Sequence, residues 1–284
     1  MLVKESFSHQ DVTGFKFGYM AMGKPSMFSH VYYVDGLLID TGHSRVEKHV
    51  LDQTRLLSVN QLFITHHHED HTGNLPAVMK QHNCPAYAST LCCETMKAPP
   101  PISFAQKLTW GTRPPSNDLV PVDDVLNTEN YSFQLIHIPG HAHDMYALYE
   151  PNQQWLFSAD LYINSYIGYF LKTESIAQQI SSTKKVLELD FDVMFCAHNP
   201  QLKNGKAKLK KKLGFLESSF EKVAHLYEKG LDAKAIFKAL KLKENKFVKL
   251  LSGGHLSQLN MVKSVIRDIE EGNENLLVKK TNKG

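Results

Sequence analysis

The chain has 284 residues, 42% hydrophobic and 21% charged, with a formal net charge of +3. This is ordinary globular composition, enough for one large domain or a domain with an appendage, and so small a charge excludes an argument for nucleic acid from composition alone. No run approaches the roughly 18 apolar residues of a membrane span, so no membrane association is expected.

Cys84, Cys92, Cys93 and Cys196 form no C-x-x-C pair and no disulfide framework. The opening MLVKESFSHQDVTG lacks the apolar stretch of a secretion signal. A soluble, cytoplasmic protein is the expectation.

Along the chain, HVYYVDGLLIDTG places Asp35-Gly36 between two β-rich runs, as a tight hairpin turn requires. SRVEKHVLDQ reads as helix, QLFIT (61–65) as a buried strand and NLPAVMKQHN as helix. KAPPPISFAQKLTWGTRPPSND is proline-rich and interrupted, so it reads as a long loop with one short helix. YSFQLIHI (131–138), MYALYE (145–150), QQWLFSA (153–159) and FDVMFCA (191–197) read as strands, with the helical TESIAQQISSTKKVLELD before the last of them. Strands alternating with helices define a layered α/β domain.

After Ala197 no strand is expected. Apolar residues recur at helical spacing up to Gly230, and Asp232 and Ser257 are candidate N-caps for two further helices. The expected division is an α/β domain over 1–204 and a helical appendage over 205–284, its last few residues frayed. The lysines of that appendage read as a solvated helical face, with a phosphate-binding surface as the less favoured alternative.

The chemistry concentrates in THHHEDHTG (65–73), which sits between a strand and a helical pattern. His66 and His68 are two apart, and Asp70 and His71 are adjacent, so one loop can serve two ions. A single zinc would not need so many donors, since it takes three or four protein ligands. Later strands end in the same residue types: His141 and His143 follow Pro139-Gly140, Asp160 follows QQWLFSA, and His198 follows DVMFCA.

The order H-x-H-x-D-H, then PGH, then a strand ending in Asp and another ending in His, resembles the metallo-β-lactamase fold superfamily over about residues 15–204. The resemblance implies a four-layer αβ/βα sandwich. It implies that His66, His68 and His141 hold one divalent metal ion, that Asp70, His71 and His198 hold a second, and that Asp160 bridges them. Asp40, at the end of LLIDTG, is implied as a support for the site, and His143 as a support or a substrate contact; His67 and Glu69 are spacers. The nitrogen and oxygen donors fit zinc best, with iron or manganese as alternatives.

The implied activity is hydrolysis by a metal-bridging hydroxide, with Asp70 taking or relaying a proton. A small ester, thioester or lactone is the expected substrate. The alternatives are a phosphodiesterase or ribonuclease of the same fold and a mononuclear iron persulfide dioxygenase. The basic glutathione-binding motif of glyoxalase II is not recognisable here, and a lactonase's tyrosine position is occupied by Ile163. Aromatic residues from Phe157 to Phe170, including Tyr162, Tyr166 and Tyr169, are read either as a pocket wall or as core.

Overall fold

The computed structural model describes residues 2–19 and 28–272. They divide into two compact units. The first comprises the described residues up to His137, with Asp144–Ile163 and Phe191–Gly205. The second comprises Ile138–His143, Asn164–Asp190 and the described residues from Lys206 on. The expected boundary at 204 separates only the last of these segments; 138–143 and 164–190 also group with the C-terminal helices. The last few residues, expected to fray, lie outside the described residues.

The first unit holds two sheets. One has seven strands in chain order: β1 (Leu2–His9), β2 (Val12–Tyr19), β3 (Ser29–Val34), β4 (Leu37–Ile39), β5 (Gln61–Ile64), β6 (Ala86–Ala88) and β7 (Leu119–Pro121). β1 to β4 are antiparallel, and β4 to β7 run parallel. The turn between β3 and β4 is Asp35-Gly36, both with positive φ, as expected.

Helices α1 (Glu47–Thr54), α2 (Glu69–Thr72), α3 (Leu75–His82), α4 (Thr90–Lys97) and α5 (Phe104–Thr109) fall between or after the parallel strands. The second sheet runs β8 (Val125–Asn127), β9 (Ser132–His137), β10 (Tyr146–Glu150) and β11 (Trp155–Ala159). The two-residue β12 (Phe170–Leu171) belongs to the second unit, and β13 (Val193–Cys196) pairs in parallel with β11.

Period-two alternation explains how these layers stack. In β4, Leu38 faces one core while Leu37 and Ile39 face another; in β5, Leu62 and Ile64 oppose Phe63 in the same way. The outer core joins the first sheet to Val46, Val50, Leu75, Val78 and Met96 of the helical layer. The inner core lies between the sheets, where Tyr32, Ile39 and Phe63 meet Phe133, Trp155, Phe157 and Phe195. Phe157 and Phe195 stack with ring centroids 4.7 Å apart. A helical layer, a sheet and a second sheet thus succeed one another in the first unit, an α/β architecture.

The second unit contains α6 (Ile176–Leu187), α7 (Gly205–Glu228), α8 (Ala233–Ala239), α9 (Lys246–Leu251) and α10 (Gln258–Glu270). Asp232 and Ser257 are N-caps, accepting from the backbone N–H of Ala235 and Leu259. The expectation of no strand after Ala197 is corrected: β14 (Leu256–Ser257) pairs with β12. Two residues are too few for alternation to register in sequence. The core here is Phe170, Ile176, Ile180, Leu216, Val223, Ile236, Met261 and Val265.

Candidate metal centre

Parallel pairing brings donors to the same ends of adjacent strands. In the first sheet, Asp40 follows β4, and the loop carrying His66 to His71 follows its parallel neighbour β5. In the second sheet, Asp160 follows β11 and His198 follows the parallel β13. Two backbone irregularities aim these residues. Asp40 has φ +62 and Ala159 has φ +46, left-handed values that non-glycine residues rarely adopt. The β11–β13 register also shifts between Phe157 and Ala159, just before Asp160.

One atom each from Asp70, His71, Asp160 and His198 lie within 4.8 Å of one another, and the same holds for His66, His68 and Asp160. His71 Nε2 is 3.4 Å from Asp160 Oδ1 and 3.7 Å from Asp70 Oδ2. His198 Nε2 is 3.2 Å from Asp160 Oδ2 and 3.5 Å from Asp70 Oδ2.

The outer ring nitrogens are anchored. His71 Nδ1 donates to Asp40 Oδ2 at 2.7 Å, and His198 Nδ1 donates to the Phe28 carbonyl at 2.6 Å. Both anchors fix the tautomer that turns Nε2 inward as an acceptor, the arrangement of metal-ligating imidazoles. Asp40 is fixed in turn by the Thr65 N–H at 2.9 Å and the Thr65 hydroxyl at 2.9 Å. His66 Nδ1 lies 3.1 Å from that same hydroxyl.

The donor set fits a divalent cation. Asp70 and Asp160 are only 6% and 4% exposed, and two buried carboxylates facing imidazoles call for positive charge between them. The protonation equilibria carry the same signal. Burial opposes a charge on His71, but the carboxylates of Asp40, Asp70 and Asp160 outweigh it and hold the imidazole well above the ordinary histidine range. His198 is also opposed by burial and raised by Asp160 and Asp70. A field that attracts a proton to these nitrogens attracts a cation as well.

His67 is turned to a different partner. Its N–H and Nδ1 both donate to Asp144, at 3.0 and 2.7 Å. Glu69 is buried beside Arg113, 3.7 Å away. Burial first and the neighbouring Asp70 second push Glu69 up to about 6, against the pull of Arg113. The turn of the loop needs Gly73, where a Cβ would stand 2.5 Å from the Ser44 nitrogen and 2.7 Å from the Glu69 carbonyl.

His141 and His143 belong to the second unit. His141 Nδ1 donates to Glu174 Oε1 at 2.7 Å, the same kind of carboxylate anchor as His71. Gly140 before it has φ +131, and a Cβ there would stand 2.5 Å from the Gln179 nitrogen. His143 is exposed.

Several partners were not visible as site residues in sequence. Thr65, Asp144 and Glu174 act through histidines far from them in the chain, or beside them without a motif. Arg113 and Trp110 lie in the proline-rich stretch read as loop. Arg113 Nη1 donates to the His67 carbonyl at 2.8 Å, and Nη2 to the Pro100 carbonyl at 2.5 Å. The Trp110 ring centroid is 6.2 Å from that of His198 and 5.0 Å from that of His43. Of the aromatic residues read either as pocket wall or as core, Phe157 is buried between the sheets and Phe170 in the helical core, so these two are core.

Residues 27–198 match the family model of the metallo-beta-lactamase superfamily. The chain belongs to that superfamily. It is 28% identical over 171 residues to a hydroxyacylglutathione hydrolase of Nitrosomonas eutropha, covering 59% of this chain and 58% of that protein. It is 25% identical over 180 residues to the atrochrysone carboxyl ACP thioesterase of Emericella nidulans, covering 61% of this chain and 50% of that one. The chain therefore spans about half the length of these two relatives. In structure it is similar to a metallo-beta-lactamase family protein from Thermus thermophilus, with TM-score 0.65 and 15% identity, covering 93% of this chain and 95% of that one. Among the described residues no helix is long and apolar enough to cross a membrane.

Proposed function

We propose that the protein is a dinuclear metal-dependent hydrolase acting on a small ester, thioester or lactone, with a thioester as the preferred class. The observation that carries this reading is the shared position of Asp160. Its carboxylate belongs both to the group with His66 and His68 and to the group with Asp70, His71 and His198. His141 is proposed as the third imidazole of the first cation, and Asp160 as the bridge. Zinc suits the nitrogen and oxygen donors best, with iron and manganese next.

When bound, the two cations lower the pKa of water to supply a nucleophile and polarise the carbonyl under attack. The chain's residues do the rest. Asp70 takes the proton released as water adds to the acyl carbon, and passes it to the sulfur as the C–S bond breaks. The products are a carboxylic acid and a thiol. Asp40 holds His71 in its tautomer, and Trp110 walls the side of His198. His143 is proposed as a substrate contact.

The thioester preference rests on the two relatives whose names state thioester chemistry. A small molecule is accordingly the proposed partner, in preference to nucleic acid. We place the protein in the reducing cytoplasm, because all four cysteines are free thiols.

The test is hydrolysis by zinc-loaded protein of S-lactoylglutathione, a homoserine lactone, a p-nitrophenyl ester, a cephalosporin and a phosphodiester. Thioester turnover should lead, and Asp70→Asn should abolish it. Turnover of the phosphodiester alone would replace this reading with the nuclease one. Oxygen consumption with a persulfide, and no hydrolysis, would replace it with the dioxygenase one.

A further inference from the structure

The second unit contains a cavity of about 560 Å³ that plays no part in the chemistry above. Its volume falls in the range of small-molecule sites. One wall is a single stripe of α7. Lys211, Gly214, Ser218 and Lys222 line it and recur every three or four residues, so they share one face of the helix. The two lysines stand roughly 16 Å apart along the axis. Leu240, Leu242 and the buried Met261 line it as well. Phe215 and Tyr166 meet edge to face at 5.8 Å, and both line the cavity.

Gly214 is the informative residue. Glycine in the middle of a helix is unfavourable, and no close approach demands it here, since nothing lies within 4 Å of where its Cβ would stand. That open space is part of the cavity. The charges point the same way. Among the described residues no acidic group lines the cavity. Lys184 is paired to Glu217 at 2.8 Å, whereas Lys211 and Lys222 form no ion pair among the described residues.

We propose that this cavity binds a linear apolar chain bearing an anionic head group, of the fatty-carboxylate class. The chain lies along Gly214, Leu240, Leu242 and Met261, and the head group meets Lys211 or Lys222. The apolar side supplies burial and the lysines supply polarity. The proposal concerns binding by the helical unit and does not depend on what the metal centre hydrolyses.

The test is calorimetric titration of the full chain with dodecanoate, and separately with dodecanol, below their aggregation thresholds. Dodecanoate should bind saturably at one per chain and more tightly than dodecanol. Gly214→Leu should fill the cavity and weaken binding about tenfold or more, a loss of about 1.4 kcal/mol. Lys211→Glu and Lys222→Glu together should do the same. Lys4→Glu and Lys80→Glu together make an equal charge change at two exposed lysines of the first unit that do not line the cavity, and should leave affinity unchanged. Circular dichroism reports whether each variant is folded, and the lysine pair carries the test if Gly214→Leu is not. Equal affinity for dodecanol, unchanged binding in folded variants, or no saturable binding would each overturn the proposal.

Discussion

The candidate metal centre and the helical cavity differ in how their polar groups are held. At the centre, Asp40, His66, His71 and Asp160 are all buried, and hydrogen bonds reach from Thr65 through Asp40 to His71. In the cavity, Lys211 and Lys222 are exposed and Tyr166 is 71% exposed. A buried, interlocked site passes a change in one residue to all its partners. An open face absorbs it. Substitutions at the first should therefore cost far more than substitutions at the second.

The largest effect is expected at Asp40. Asp40→Asn keeps the shape but replaces the carboxylate that anchors His71, so divalent-metal affinity should fall about 10–100-fold by chelator competition. An unchanged affinity would show that the anchor is dispensable. Gly73→Ala comes next. Its Cβ would collide with backbone at 2.5 and 2.7 Å, and denaturant titration should show a loss of about 1–3 kcal/mol.

A pH effect of intermediate size follows from two other buried histidines. Burial lowers His30 to about 4, against its bond to the Ala197 carbonyl, and burial lowers His43 to about 4, against Asp70. Both are neutral in the folded state over a range where the unfolded chain takes up protons. Their neutral forms therefore cost nothing above about pH 6.5, and stability falls as pH drops from there toward about 4. In chelator-treated protein, His43→Gln should reduce that acid slope by up to about 1.4 kcal/mol per pH unit. The smallest effect, of opposite sign, is expected in the open region. Gly214→Ala should stabilise the chain by about 0.5–1 kcal/mol, because the added Cβ meets nothing.

The same contrast explains what could be read from sequence. The strands that carry donors are long apolar runs closed by His or Asp, so QLFIT, QQWLFSA and DVMFCA declared both strand and donor. The hairpin at Asp35-Gly36 and the caps Asp232 and Ser257 were legible because turn and cap chemistry is local. The β1–β2 hairpin was not, since β1 mixes exposed polar residues with few apolar ones. β6, β7 and β8 have three residues each, too few to show a period. Trp110, Arg113 and Glu174 act across loops, where no spacing rule applies. Their contacts exist only once the chain has folded. The grouping of 164–190 with the C-terminal helices is of the same kind: it depends on Phe170 and Ile176 packing against Met261 and Val265.

The most direct test of the central claim is a count of metal ions per chain, by elemental analysis of purified, zinc-loaded protein and its Asp160→Ala variant. The account predicts about two zinc ions in the unaltered chain, because two donor groups share Asp160, and fewer than two in the variant, with hydrolysis lost. One ion or none in the unaltered chain, or two retained in Asp160→Ala, would contradict it.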